Sequence, residues 1–352
     1  MAWPKDSTQY YIKKVATGKQ LSRNLTEEEA REILSRILAE KTTPAQNGAF
    51  FAAMRMKGET AEELAGFTRA LRETATLIRP DVPFLVDLGY PYDGKLRSDL
   101  VIVGAAFVAA ACGVSVMLHG ARQVPPKRGR TPEELLEALG LPVDLTPQES
   151  AVFLEQTGIG YLSCEKASPA LARFLEIPAE ISVRSPLSAV QKLLNPAQAP
   201  VVLVGITHPP YFNTMSGAIQ RLYPSGWVVK GLEGTMELSL SHSTEAISVK
   251  GAVVERLRID PQAFRFEAVG DAEFAQKTLA DNAHSVVAGL ERGNPLWENI
   301  LCLNGGFLVY ASGKTASMEE AVLLSRDMLR SGKALEVFRR SRQVGEGARH
   351  DL

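Results

Sequence analysis

"LVDLGYPYDGKLRSDLV", residues 85–101, decides the fold. It runs from an apolar strand through a turn bearing Gly89 and Gly94 into the start of a helix, the order expected of an α/β unit. Strand, glycine turn and helix N-terminus together can form a phosphate cradle, because free backbone N–H groups and the helix dipole attract anions. Tyr90, Pro91 and Tyr92 crowd this turn, where close approach of a phosphate calls for bare glycine backbone. The stretch therefore poses two options: a loop that still takes a phosphorylated ligand, or one turned to another use.

Working outward, the same strand–helix alternation continues. "FLVDL" (84–88), "VSVML" (114–118), "GYLSC" (160–164), "VVLVGI" (201–206) and "GWVVKG" (226–231) read as strands. Helices open between them at Thr131-Pro132 with Glu134 and at Thr146-Pro147 with Glu149, since proline loses nothing at a first helical position and the Thr–Glu spacing is that of a capping box. Strands too apolar to face water, alternating with helices, predict a mainly parallel sheet covered on both faces. Further strands are expected at "AISVK" (246–250) and "VERLRI" (254–259), then helices near 271–290, 295–308 and 315–338. Upstream, Thr26 with Glu29, Thr43 before Pro44, and Thr60 with Glu63 punctuate about four helices. The prediction is an α/β protein: a small all-helical domain over residues 1–80, joined by helices from 168–198, and a larger α/β domain over 81–352.

The chain has 352 residues, with 39 Lys and Arg against 40 Asp and Glu. No global field steers it to nucleic acid or membranes, so any anion binding must be local. The apolar run Leu100–Gly113 is too short to cross a bilayer and suits a buried helix. "MAWPKDSTQYYIKK" lacks a signal-peptide core, and three widely spaced cysteines support neither a disulfide framework nor a zinc site. A cytoplasmic protein is expected.

Four runs, "AAMRMKGETAEELAGFTRALRE" (52–73), "AFVAAACGVSVMLHG" (106–120), "LLEALGL" (135–141) and "LLNPAQAP" (193–200), resemble anthranilate phosphoribosyltransferase and the wider glycosyltransferase family 3. The resemblance implies the nucleoside phosphorylase/phosphoribosyltransferase-like fold, a ligand cleft between the domains, and a homodimer formed through the helical domain. Family enzymes hold the diphosphate of phosphoribosyl pyrophosphate on a Gly-Thr-Gly-Gly-Asp turn and magnesium on an adjacent Asp-Glu pair. Here the turn reads "LGYPYDG", and Glu233 is followed by Gly234 with the next acid at Glu237. The family's Lys-His-Gly-Asn becomes Leu118-His119-Gly120-Ala121, and Pro125-Pro126 replace paired serines. Tyr92-Asp93-Gly94, His208-Pro209-Pro210-Tyr211 and Gly231-Leu232-Glu233-Gly234 are similar to the YbiB-like paralogues, a branch associated with nucleic-acid binding.

The candidate phosphate or nucleic-acid contacts are Lys95 and Arg97 on the turn, His119 at a strand end, Arg122, Lys127, Arg128 and Arg130 on the densest basic stretch, and Arg184. Ser98-Asp99 are candidate helix caps. Two functions follow. One is binding of DNA, RNA or another polyanion with no catalytic residue, no cofactor and no membrane partner. The alternative is a divergent phosphoribosyltransferase acting on an aromatic amine, with phosphoribosyl pyrophosphate and magnesium held by Glu233 or Glu237.

Overall fold

The structure is a computed structural model, which describes residues 3–5, 7–18 and 20–350, with side chains through Gly347. Four helices lead: α1 (Thr8–Ala16), α2 (Glu27–Leu38), α3 (Pro44–Lys57) and α4 (Ala61–Thr74). The anticipated capping boxes open α2 and α4, and Thr43, expected as a helix start before Pro44, forms a further box with Gln46 at the head of α3. Their apolar faces meet in a core containing Ile33, Leu34, Phe50, Phe51, Met54, Leu64 and Phe67.

The α/β part follows as β1 (Leu85–Gly89), α5 (Ile102–Ala111), β2 (Ser115–Gly120), α6 (Pro132–Ala138), α7 (Pro147–Thr157) and β3 (Ile159–Ser163). Four short helices come next: α8 (Cys164–Ala167), α9 (Pro169–Ala172), α10 (Ile177–Glu180) and α11 (Leu187–Val190). The chain returns through β4 (Val201–Gly205), α12 (Tyr211–Leu222), β5 (Ser225–Val229), β6 (Thr244–Lys250) and β7 (Val253–Ile259). It closes with α13 (Leu279–Leu290), α14 (Pro295–Ala311), α15 (Met318–Arg330) and α16 (Lys333–His350). The single helix expected over 315–338 is two, because Gly332 adopts a left-handed φ of 78° that an α-helix cannot continue through. The helix expected from 271 starts at Leu279, with only a 3₁₀ turn at Asp271–Phe274.

All seven strands form one sheet in the order β3-β2-β1-β4-β5-β6-β7. β1 to β5 run parallel, while β6 and β7 are antiparallel. Side chains alternate between faces. Val201 and Leu203 enter one core with α5, buried from Ile102 to Ala109, and with α14, whereas Val202 and Val204 enter a second core shared with α2, α3 and α4. Leu171, Phe174, Leu187 and Leu193 of the proline-rich return segment join that second core. Chain order runs outward from β1 to β3 on one side and through β4 to β5 on the other. This reversal makes a topological switch point between β1 and β4, and a crevice beyond their carboxyl ends is where such sheets receive ligands.

Candidate anion-binding cleft

A cavity of about 420 Å³ lies at that switch point. Pro91, Asp93, Leu96 and Arg97 from the loop after β1 line it, opposite Ile206, Thr207 and His208 from the loop after β4. Arg55 from the last turn of α3 and Glu59 just past its Gly58 cap close the far side, so the cavity spans the helical and α/β parts. Neither tyrosine of the turn fills it. Tyr90 points into the core of the α5 face, and Tyr92 into the core of the opposite face. Gly94 is required where it stands: its φ is 69°, and a Cβ would lie 2.4 Å from the Arg130 carbonyl oxygen.

The loop between Gly94 and α5 does form an anion nest, with a carboxylate of the chain itself as its anion. Glu233 Oε2 accepts from Leu96 N–H at 3.0 Å, and Oε1 accepts from Ser98 N–H at 2.8 Å, Arg97 N–H at 3.1 Å and the Ser98 hydroxyl at 2.7 Å. Burial works to raise the pKa of Glu233, but the Leu96 amide, the Ser98 hydroxyl, the Lys95 charge and the Arg97 amide outweigh it and hold the carboxyl below its ordinary value.

A second carboxylate takes the helix N-terminus. Glu237 Oε1 accepts from Val101 N–H at 2.8 Å and Ile102 N–H at 2.9 Å, doing the capping work expected of Ser98-Asp99. Asp99 instead accepts from the Lys277 amide, and Ser98 serves Glu233. Lys95 therefore departs from its expected role. Its amine lies fully buried, 2.5 Å from Glu237 Oε2, and also donates to the Asp99 carbonyl at 2.7 Å. Paired backbone hydrogen bonds between Lys95 and Arg130 turn this side chain inward.

The other candidates separate in the same way. His119 is buried away from the cleft, with Nε2 3.1 Å from Asp87 and Nδ1 2.7 Å from the Tyr92 hydroxyl. The basic stretch is largely neutralised internally. Arg122 pairs with Glu133 and Glu137, Arg128 with Glu176, and the Arg130 guanidinium donates to the Lys277 carbonyl. Arg122 is thus paired with two carboxylates, and neither it nor Arg130 lines the cleft. Lys127 and Arg184 do line the cleft, beside Asp93 at 3.5 and 2.6 Å, and Arg97 has a side chain 81% exposed. Arg128 lines a neighbouring depression with Arg55 and Arg184.

Two cleft cations escaped the sequence reading. Arg55 sits in the last turn of an ordinary helix, and Lys192 in a proline-flanked segment, with nothing local to mark either. Lys192 donates to the Gly205 carbonyl at 2.6 Å, and its burial, with Arg184 and Lys127 nearby, lowers its pKa to about 8 against the opposing pull of Asp93.

Magnesium does not fit Glu233 and Glu237 as they stand. Glu233 is saturated by four donors, Glu237 is sealed inside, and among the described residues no group of three His, Cys, Asp or Glu stands close enough to hold a metal. Among the same residues, no helix is long and apolar enough to cross a membrane.

Helical bundle, mixed sheet and interdomain cleft define a two-domain sugar-transferase architecture. Residues 9–75 match the glycosyl transferase family helical bundle domain, and residues 100–335 match the family's a/b domain. The chain belongs to glycosyl transferase family 3. It is 32% identical over 350 residues to an anthranilate phosphoribosyltransferase of Rubrobacter xylanophilus, covering 96% of this chain and 98% of the relative. The corresponding protein of Methylococcus capsulatus is 30% identical over 324 residues, covering 92% of this chain and 93% of its own. The crystal structure of anthranilate phosphoribosyltransferase from Thermus thermophilus superposes with a TM-score of 0.82 at 30% identity, covering 95% of this chain and 98% of that one.

Proposed function

We propose that this chain is a polyanion-binding member of its family that does not release pyrophosphate, with DNA or RNA as the polyanion that its YbiB-like motifs imply. One observation carries the reading: Glu233 already occupies the amides of residues 96–98, donors that the diphosphate of a transfer substrate could otherwise use. Transfer chemistry on a diphosphate donor rests on charge stabilisation of the leaving group. A cradle already neutralised by a carboxylate, without a metal clamp, lacks that stabilisation.

The binding surface of this reading is the cleft rim, where Arg55, Arg97, Arg128 and Arg184 line the two adjoining cavities. It keeps Arg97, Arg128 and Arg184 of the residues singled out in the sequence and adds Arg55. A homodimer would present two such rims and raise weak affinity through multivalency. Location in the cytoplasm belongs to the same proposal. Mobility shifts with single- and double-stranded oligonucleotides across a salt series test it. Four phosphate contacts on a single strand give a log–log salt slope of about −3. Absence of any shift at low salt rejects the reading.

Phosphoribosyl transfer to an aromatic amine is the second reading, and the relatives favour it. Anthranilate phosphoribosyltransferases are alike over more than nine-tenths of the chain, and the cleft is open. Under this reading phosphoribosyl pyrophosphate draws Glu233 out of the nest. Formation of phosphoribosyl anthranilate by the purified chain, followed by loss of anthranilate fluorescence, would establish it.

A further inference from the structure

Glu233 also lines a second cavity, of about 680 Å³, on the far side of its loop. Arg97, Thr207, Glu233 and Gly234 border both this cavity and the one at the switch point. The residue is thus part of the partition between two open spaces, and its carboxylate is held there by donors converging from one loop. Its backbone sits in the left-handed region, at φ 52° and ψ 24°, between Gly231 and Gly234. A non-glycine residue there carries a backbone cost. The hydrogen bonds to residues 96–98 outweigh that cost only while the carboxylate stays in place.

Three successive amides and a hydroxyl are a donor set that suits a tetrahedral oxyanion as well as a carboxylate. We propose that Glu233 is a tethered occupant of a latent phosphate-binding nest formed by Leu96, Arg97 and Ser98, and that its displacement opens this nest to a phosphate-bearing ligand. The ligand class is a phosphate or diphosphate group entering from either cavity, with the Arg97 side chain supplying charge. The inference rests on the anion-binding reading of the cleft and adds its regulation: affinity is set by how often Glu233 is out.

If the open form is a minor state populated at about 1–10%, removing the tethered competitor raises apparent affinity by about ten- to a hundredfold. Calorimetry with inorganic pyrophosphate compares the full chain with Glu233→Ala and Glu233→Gly, the glycine suiting the left-handed backbone. Tighter binding by either variant, abolished when Ser98→Ala is added, is the expected result. Folded variants that bind pyrophosphate no better than the parent overturn the proposal. Should both unfold, the parent chain decides: saturable shifts of the Leu96, Arg97 and Ser98 amide resonances on titration with pyrophosphate support the nest, and unmoved resonances refute it. These outcomes are separable from the polyanion reading. Oligonucleotide binding by the parent without any gain in the variants leaves that reading intact and removes the latent site alone.

Discussion

Replacing Glu237 by alanine strands the Lys95 ammonium in the interior, with only the Asp99 carbonyl left as partner. Removing one partner of a buried ion pair costs about 3–5 kcal/mol. The two N–H groups that open α5 also lose their acceptor, for about 1 kcal/mol more. The converse change, Lys95→Met, is milder, because the carboxylate keeps the Val101 and Ile102 amides and the Thr235 hydroxyl at 3.3 Å. With those hydrogen bonds kept, the loss is about 2–3 kcal/mol. The double change Lys95→Met with Glu237→Met removes both charges and leaves only unsatisfied amides, so it is expected to be more stable than Glu237→Ala alone. Urea unfolding followed by circular dichroism and tryptophan fluorescence measures all three variants. Equal losses for the two single changes, or strictly additive losses in the pair, would refute this account of the loop.

Three other outcomes are expected. Because the folded state depresses the pKa of Glu233, its contribution is present above the ordinary glutamate value and fades as pH falls through the lower folded value. The stability difference between the parent chain and Glu233→Gln should therefore shrink on acidification, as read by unfolding midpoints from pH 7 downward. Lys192 follows the same sign in an alkaline window: with its folded pKa lowered to about 8, the parent chain gains stability relative to Lys192→Met as pH rises from about 8 toward the free-lysine value of about 10.4. A flat difference over that range contradicts the assigned burial. Tyr92→Phe removes the partner of His119 Nδ1 in a sealed site and should cost about 1–3 kcal/mol in the same unfolding assay, without altering ligand binding in the cleft.

The framework was legible because its signals are local. Thr26–Glu29, Thr60–Glu63 and Thr146–Glu149 cap helices where their spacing places them, and the five apolar runs from residue 84 onward became the five parallel strands. The site was legible only in outline. Loss of the glycine-rich turn could be read from residues 89–94, but what replaced it depends on partners more than a hundred residues apart: Leu96 with Glu233, and Lys95 with Glu237. Charge along the chain misled for the same reason. Arg122 and Arg128 look free in a stretch lacking acids, and their neutralising carboxylates arrive from α6 and from the turn before α10. Arg55 and Lys192 reach the cleft through tertiary packing that no periodicity announces.

The central claim is that two internal carboxylates have taken the places a magnesium diphosphate would need. Titration calorimetry of the purified chain with phosphoribosyl pyrophosphate and magnesium addresses it most directly. The account predicts no metal-dependent saturable heat. A micromolar dissociation constant that vanishes when magnesium is chelated would contradict it.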